Sequence, residues 1–358
     1  MKNTCSSQRL CTALLLSVSL IAGCNGIGLR THNRESIQTI LSSPEYRLPS
    51  QSLTKLDASG HPLSTKAEVW SMVRDNNSGL IWEVKTEGHG RHYWKQKYDW
   101  QAAQTDFIAQ LNHEKFGGAD DWRLPTVREL VSITDKTRFL PAIDTDYFPL
   151  TQTHDYWSAI LDAGDAFNAW RVHFCRGYVS NMARSNEYFV RAVRGPSLAG
   201  PDLVDNGGGT ITDRTTGLMW QKNARQSMSW PEAIDYCERL KLGEHSDWRL
   251  PHAHELQTLI DYARSNPAAD GIVLGIKPLK GEKPGNDADP LQQYVPDQRL
   301  GFWSSTVYAS NLKAAWVVDF KTGAFWHDPR TKKYAIRAVR SIVEETAPAG
   351  NSALKAAE

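Results

Sequence analysis

Two stretches of this chain place a carboxylate, an indole and a guanidinium side by side, and these groups can hold or transform a polar substrate. Residues 121–125 and residues 247–251 both read Asp-Trp-Arg-Leu-Pro. An arginine fork pairs well with a carboxylate, whether that carboxylate belongs to a substrate or to the protein. We favour pairing of each arginine with a carboxylate of its own domain, covered by the neighbouring tryptophan. The predicted structural residues are Trp122, Arg123, Trp248 and Arg249.

Residue patterns that support familiar kinds of catalysis are missing from the sequence. His252 and His254 stand two apart at a predicted helix start, so they point in different directions, and no third ligand completes a zinc site. There is no His-Glu-x-x-His helix, no Cys-x-x-Cys pair, no Gly-x-Ser-x-Gly turn and no phosphate-cradling glycine loop. We therefore predict no enzyme activity, no cofactor and no metal. An enzyme acting on envelope polymers is kept as a second alternative.

One local charge bias stands out in a chain whose formal net charge is only +1. Residues 169–195 and residues 315–341 are each four charges positive, with aromatic residues interleaved. Basic groups beside aromatic faces suit sulfated or carboxylated sugars, whereas the near-neutral chain argues against nucleic acid. In the alternative, arginines that alternate along the closing strands are buried against acidic partners. The candidate ligand-binding residues are Arg171, Arg176, Tyr178, Arg184, Lys321, Trp326, Arg330, Lys332 and Lys333.

The motifs recur because the chain contains one unit twice. Residues 156–159 and 190–194 recur at residues 302–305 and 336–340, always 146 positions later. Each copy is longer than a hundred residues, so each is expected to bury its own core. Copy two alone carries a long loop around residues 266–298. The predicted boundaries are 69–195 for copy one, 196–202 for a linker, 203–342 for copy two and 343–358 for a disordered tail.

Each copy is predicted to be an α+β domain with two helices and a strand-rich second half. In copy one, helical spacing joins Trp100, Ala103, Phe107 and Leu111, which form the apolar stripe of the first helix. Two capping-box patterns predict helix starts, Thr126 with Glu129 and Ser229 with Glu232. Short alternating strands follow the second helix of each copy, with Trp170, Val172 and Phe174 on one face in copy one and Trp316, Val318 and Phe320 in copy two.

The ordered set of motifs resembles the family called DUF1566, or Lcl C-terminal-like. The resemblance rests on Gly-Leu-x-Trp, Asp-Trp-Arg-Leu-Pro with Glu-Leu, Trp-Ser-Ser/Ala, Ala-Trp-x-Val-x-Phe-x-x-Gly and the closing Val-Arg-Ala-Val-Arg, each present twice, with Ile336 in place of the first valine in copy two. It implies two tandem C-type lectin-like domains and, from the family's better known adhesive member, attachment to sulfated glycosaminoglycans as a trimer. This chain has no collagen-like tract and lacks the Glu-Pro-Asn and Trp-Asn-Asp signatures of calcium-dependent lectins. Calcium-mediated sugar recognition is therefore not expected.

The N-terminus is interpreted as a lipoprotein signal. A basic start and a short apolar run precede Ile-Ala-Gly-Cys, so we predict a signal peptide over residues 1–23 and a lipid on Cys24. An ordinary cleaved signal is the alternative. Residues 24–68 are predicted to be a polar tether. With Cys24 lipidated, only Cys175 and Cys237 could form a disulfide, and buried or free thiols are the alternative.

These observations together predict a lipid-anchored binding or adhesion protein of the bacterial outer membrane. Its partners are predicted to be the membrane, through the lipid, and an anionic polysaccharide or an envelope protein, with no role for nucleic acid. A structural or assembly lipoprotein that binds another envelope protein is the first alternative.

Overall fold

The structure is a computed structural model that describes residues 52–136, 138–276 and 301–342. The predicted signal peptide, the predicted lipidation site Cys24, the first part of the predicted tether, the long loop beyond residue 276 and the predicted tail lie outside the described residues. The strands are β1 Leu53–Leu56, β2 Met72–Asp75, β3 Ile81–Glu83, β4 Asp155–Asp162, β5 Asp165–His173, β6 Tyr178–Ala183, β7 Val193–Arg194, β8 Leu203–Gly207, β9 Thr210–Asp213, β10 Leu218–Gln221, β11 Arg225–Met228, β12 Gly301–Val307, β13 Ala314–Asp319, β14 Phe325–Pro329, β15 Tyr334–Ile336 and β16 Val339–Ser341.

The helices are few and short beside these antiparallel and mixed sheets, which is consistent with the predicted α+β class. Helix α1 joins Trp100–Ala102, a π-helical stretch Ala103–Ile108 and Ala109–His113, and a 3₁₀ turn follows at Phe116–Gly118. The remaining helices are α2 Val127–Ser132, α3 Trp230–Arg239 and α4 Ala253–Thr258. Within the described ranges, no helix is both long and apolar enough to cross a bilayer.

Helix starts are set by side chains that satisfy the exposed backbone N–H groups. Glu129 accepts the N–H of Thr126 at 2.8 Å while its own N–H donates to the Thr126 hydroxyl at 3.2 Å. Glu232 accepts the N–H of Ser229 at 2.8 Å. The two capping boxes thus form where the sequence places them, and they begin α2 and α3. The predicted stripe of α1 is buried throughout.

Each copy opens with a four-stranded sheet of the same order, β1-β2-β3-β7 in copy one and β8-β9-β10-β16 in copy two. The closing strand of each copy therefore lies beside an early strand. Strand β1 comes from the segment predicted to be tether, and its Leu53 pairs with Asp75 of β2. Strand β1 thus adds a fourth strand to this sheet from the segment before residue 69, and it covers an edge of β2.

The third sheet contains strands of both copies, in the order β11-β15-β12-β13-β14-β6-β5-β4. At its centre β6 pairs antiparallel with β14, and Val179 lies opposite Phe325. These residues are 146 positions apart and hence equivalent in the two copies. The copies are therefore related by an approximate two-fold axis that passes between them, as in an isologous dimer.

A shared sheet brings a shared core. One hydrophobic cluster includes Trp170 and Val172 of copy one together with Trp316 and Val318 of copy two. The expectation that each copy buries its own core is wrong for this cluster, although copy one keeps a second cluster of its own around Phe107. The two copies accordingly lie in one compact unit.

Candidate functional site

The arginines of the two Asp-Trp-Arg-Leu-Pro motifs are held by carboxylates of their own copies. Arg123 donates two hydrogen bonds of 2.7 Å to Glu129, and Arg249 donates bonds of 2.7 and 2.6 Å to Glu255. Burial alone would raise the pKa of both carboxyls, but the hydrogen bonds from the arginines hold it below its ordinary value. These pairs lock each motif onto the following helix, the structural role that the sequence favoured.

The aspartates of the same motifs bind the closing strands. Arg194 pairs with Asp121 at 2.7 Å, and Arg340 pairs with Asp247 at 2.7 Å. Two arginines that contribute to the basic bias are thereby neutralised within the protein. The tryptophans of the motifs are buried, Trp122 and Trp248.

Two further arginines, each two positions before the closing strand of its copy, are fully buried, Arg191 and Arg337. Arg191 donates to the Glu83 carbonyl oxygen at 2.7 Å and to the Thr151 hydroxyl at 2.8 Å. Arg337 donates to three backbone carbonyl oxygens at 2.6, 2.6 and 2.8 Å, and burial lowers its pKa to about 9. These two arginines are therefore buried, as the alternative expected, but their partners are carbonyl and hydroxyl oxygens rather than acidic side chains.

Arg184 and Arg330 were predicted to bind ligand, and the structure places both against the first helix of their copies. The Arg184 guanidinium lies 5.7 Å from the Trp100 ring, and that of Arg330 lies 4.8 Å from the Trp230 ring. The backbone carbonyl oxygens of the two arginines accept the backbone N–H groups of the same tryptophans, both at 3.0 Å. Each arginine is half-buried and has a packing role in addition to its exposed edge.

The other candidates of copy one are scattered. Arg171 is buried and ion-paired with Asp155, so it lies in the interior rather than on a binding surface. Tyr178 packs across the copy boundary, 5.4 Å from the Trp316 ring, and burial raises its pKa to about 12. Arg176 is exposed, and its pKa is raised by a hydrogen bond with Tyr178.

The candidates of copy two are more exposed. The indole N–H of Trp326 donates to Asp328 at 3.0 Å, and the backbone N–H of Lys321 donates to Asp319 at 2.9 Å. The turn between β14 and β15 carries Arg330, Lys332 and Lys333, and the loop before β13 lies beside it, since the N–H of Arg330 donates to the Lys313 carbonyl oxygen at 2.9 Å. We call this group the copy-two basic turn: Lys313, Arg330, Lys332 and Lys333. Its three lysines are exposed and form no ion pair with any residue in the described ranges.

The equivalent turn of copy one has the same backbone and a different charge. There the N–H of Arg184 donates to the Phe167 carbonyl oxygen at 3.0 Å. Counting back 146 positions replaces the three lysines of the copy-two basic turn with Phe167, Asn186 and Glu187. The copies therefore do not present one basic site twice, a difference that aligning the two repeats residue by residue would have revealed.

A cleft of about 350 Å³ lies where the two copies and the linker meet. Arg128 in its wall donates to the carbonyl oxygens of Thr258 and Ile260, both at 2.9 Å. Asp261 pairs with Arg264 at 3.0 Å. The charged groups of the cleft are thus committed to one another or to backbone. Over the described part of the chain, no three His, Cys, Asp or Glu side chains are grouped to bind a metal.

The two cysteines of the described domains are unpaired. Cys175 is partly exposed in the turn after β5, whereas Cys237 is buried in α3. Burial raises the pKa of the Cys237 thiol. The disulfide considered from the sequence is not formed, because the two side chains lie in separate environments.

Copy one also contains a buried ion cluster that sequence reasoning missed. The fully buried Glu83 carboxylate lies 2.8 Å from the Lys85 ammonium and 2.9 Å from Nδ1 of His92. Burial alone would raise the pKa of Glu83, but Lys85 and His92 lower it to about 2. The available signal was segment length, because the stretch between Trp82 and Trp100 is eight residues longer than its counterpart in copy two.

Comparison with known families agrees with the duplication. The family model of the Lcl C-terminal domain matches residues 71–194 and residues 209–340. A search of the curated proteins finds no match. Because the two matches span more than half of the chain, the protein belongs to the Lcl C-terminal domain family and carries that domain twice in tandem. The resemblance inferred from the motifs is confirmed.

Proposed function

We propose that this protein is a lipid-anchored binding protein of the bacterial envelope and that it holds an anionic polysaccharide through the copy-two basic turn. The proposal is for binding without chemical turnover. Tandem Lcl C-terminal domains support a surface or envelope role. The lipid on Cys24 and the outer-membrane location are predictions from the N-terminal sequence, which lies outside the described residues.

The observation that carries the proposal is the concentration of unpaired positive charge on one turn. Lys332 and Lys333 are exposed, and Lys313 is joined to the same turn by a backbone hydrogen bond. Arg330 is oriented by the Trp230 ring beneath it. Most of the other basic residues of the bias are buried or paired, with Arg176 as an exposed exception, so this turn is where a sulfate or carboxylate would meet several cations at once.

The topology supports the further proposal of a C-type lectin-like fold. In each copy the closing strand returns to pair with an early strand, β7 with β3 and β16 with β10. The two ends of each copy are thereby tied together, and the intervening turns are displayed on a rigid base. A ligand would be contacted by those turns, as loops on a scaffold commonly do.

Titration of the full chain with a heparin oligosaccharide at about 0.05 M and about 0.5 M salt tests the proposal, since exposed charges are screened within a few ångströms at high salt. We expect binding at low salt that weakens at high salt. The double variant Lys332→Glu/Lys333→Glu should weaken low-salt binding at least about tenfold, equivalent to about 1.4 kcal/mol.

Copy one supplies a matched control on the same backbone turn. The variant Asn186→Lys/Glu187→Lys places the lysines of copy two on copy one and should strengthen low-salt binding. Wild-type protein that does not bind the oligosaccharide at low salt would refute the proposal. Equal binding by the charge-reversed variant would show that the copy-two basic turn is not the site.

A further inference from the structure

Copy one carries a loop that copy two lacks, and the side chains at its base differ in chemistry from those at its tip. This inserted loop, residues 86–97, accounts for the eight additional residues before helix α1. Copy two crosses the same gap with the short strand β11. Each copy thus has an insertion of its own, this loop in copy one and the segment around residues 266–298 in copy two. The inserted loop therefore gives copy one side chains that copy two has no counterpart for.

The base of the inserted loop is held by buried polar contacts. His92 bonds to the buried Glu83 carboxylate at 2.9 Å, and its ring lies 4.4 Å from that of Phe116. Arg91 forms an ion pair with Glu114 at the end of α1. Backbone bonds close the loop, from Thr86 N–H to the His92 carbonyl at 2.8 Å and from Trp94 N–H to the Thr86 carbonyl at 3.2 Å. The loop is therefore clamped rather than loosely attached.

We call the exposed or partly exposed side chains of His89, Tyr93, Trp94 and Lys95 the tip of the inserted loop, although the backbone of Trp94 belongs to its base. Ring centroids of His89 and Tyr93 are 6.0 Å apart, and those of Tyr93 and Trp94 are 6.2 Å apart. The Lys95 ammonium lies 4.5 Å from the Trp94 ring. Within the described ranges, the Tyr93 hydroxyl and the Trp94 indole N–H make no hydrogen bond, and Lys95 has no carboxylate partner. These side chains are exposed or partly exposed.

We propose that the tip of the inserted loop is a second carbohydrate-contacting site, which takes a sugar ring that bears a carboxylate. Tyr93 and Trp94 offer aromatic surface to the C–H groups of the ring, and their O–H and N–H groups can donate to its hydroxyls. Lys95 pairs with the carboxylate. This inference rests on the proposed function, because the ligand is a segment of the same acidic polymer.

A nucleic acid could also stack on these rings, but the charges on the loop favour a sugar. The Arg91 guanidinium is occupied by Glu114, and Glu87 adds a negative charge beside the tip. The other cations of the inserted loop are Lys95 and Lys97, and the Lys97 ammonium lies 5.1 Å from the Phe189 ring. Backbone binding of a nucleic acid needs a longer run of cations than this.

Titrations of the full chain with tetragalacturonate, neutral chitotetraose and an oligothymidylate test the inference. We expect tetragalacturonate to bind best, and Trp94→Ala and Lys95→Ala each to weaken it about fivefold to tenfold. The loss caused by Trp94→Ala should persist at high salt, since stacking is not screened, whereas the loss caused by Lys95→Ala should fade. Phe167→Ala removes an exposed aromatic residue outside the inserted loop and should bind as the wild type does.

The variant set separates failure of the inference from failure of the proposed function. If wild-type protein binds tetragalacturonate but both tip variants bind it equally well, the role of the inserted loop is overturned and the copy-two basic turn stands. If the tip variants lose affinity while Lys332→Glu/Lys333→Glu does not, the inserted loop alone is the site. Absence of wild-type binding to tetragalacturonate overturns the inference, whereas the proposed function is overturned only if wild-type protein also fails to bind the heparin oligosaccharide at low salt. Tighter binding of oligothymidylate overturns the assignment to a sugar.

A variant of the clamp checks that the tip depends on its base. His92→Ala leaves Glu83 with Lys85 but detaches the inserted loop from the buried carboxylate. Hydrogen exchange should become faster at the Thr86 and Trp94 amides, and tetragalacturonate binding should weaken by less than it does in Trp94→Ala. Unchanged exchange at these two amides would show that the clamp does not order the tip.

Discussion

In each copy a side chain accepts the backbone N–H of the alanine directly before the closing strand, which is β7 in copy one and β16 in copy two. The chemistry of that side chain differs between the copies. In copy one the Glu83 carboxylate accepts the N–H of Ala192 at 3.1 Å. In copy two the Gln221 side-chain oxygen accepts the equivalent N–H of Ala338 at 3.2 Å. A neutral amide therefore suffices for the backbone contact. The extra negative charge of copy one serves Lys85 and His92 and, through His92, the inserted loop.

The largest expected effect comes from giving copy one the neutral side chain of copy two. Glu83→Gln leaves Lys85 buried without its carboxylate, and breaking a buried pair in this way costs about 3–5 kcal/mol. Copy two has asparagine at the position of Lys85. The double variant Glu83→Gln/Lys85→Asn should therefore recover most of the lost free energy of unfolding. Urea denaturation followed by circular dichroism measures the free energy of unfolding of the single variant and of the double variant.

Equal destabilisation of the single and double variants would contradict this comparison. It would mean that the carboxylate stabilises copy one directly rather than by offsetting the buried ammonium of Lys85.

The boundary between the copies shows a second exchange of residue type. Lys136 and Tyr262 each lie eleven positions after the proline of their motif. Lys136 donates to the Gly177 carbonyl at 2.7 Å and lies 4.8 Å from the Trp316 ring of the other copy. Tyr262 donates to the Gly323 carbonyl at 3.2 Å, and its ring lies 5.0 Å from that of Trp170 in the other copy. One position thus carries an ionisable amine in copy one and a phenol in copy two.

The amine makes stability depend on pH in a way that the phenol does not near neutrality. Burial lowers the pKa of Lys136 from 10.5 to about 7, against the opposing charge of Asp135. The unfolded chain therefore binds more protons than the folded chain between these values, so stability rises with pH across that window. The slope is up to about 1.4 kcal/mol per pH unit.

Lys136→Met should abolish this component, so the difference in free energy of unfolding between the wild type and the variant should grow in favour of the wild type from pH 7 to pH 10. Tyr262→Phe is the control, since it should lower stability by a similar amount at each pH up to about pH 9, well below the raised pKa of Tyr262. A constant difference between the wild type and Lys136→Met would show that Lys136 keeps its ordinary pKa.

The smallest effect concerns the two turn glycines that accept these hydrogen bonds. Gly177 has φ 80° and Gly323 has φ 90°, and alanine at such angles costs about 1 kcal/mol or more. A Cβ on Gly177 would meet the flexible Lys136 ammonium at 3.0 Å, whereas one on Gly323 would meet Ile260 at 2.9 Å and the Tyr262 ring at 3.0 Å. Gly323→Ala should therefore be more destabilising than Gly177→Ala by about 1–2 kcal/mol in urea denaturation.

Equal losses for the two glycine variants would show that the ring of Tyr262 yields as readily as the side chain of Lys136.

Much of the local structure could be predicted, because short-range patterns carry it. The capping residues Thr126 and Ser229 lie three positions from their glutamates, and the pairing of Arg123 with Glu129 spans only six positions. The candidate site was predicted less well. Arg171 and Arg184 were assigned to a surface because of the local charge bias and the interleaved aromatic residues, and neither feature reveals that Asp155 or Trp100 will lie beside them.

The sequence by itself determined the duplication, the family, the helix starts and the in-domain arginine pairs, because each depends on residue order over a few positions or on comparing the copies. Tertiary structure alone decided that β6 joins β14, that Arg191 and Arg337 are buried, and that Lys313 joins Lys332 and Lys333 on one exposed turn. These contacts unite residues far apart in the chain. Their stability depends on which surfaces exclude water once the two copies share a core, and no local pattern specifies that outcome.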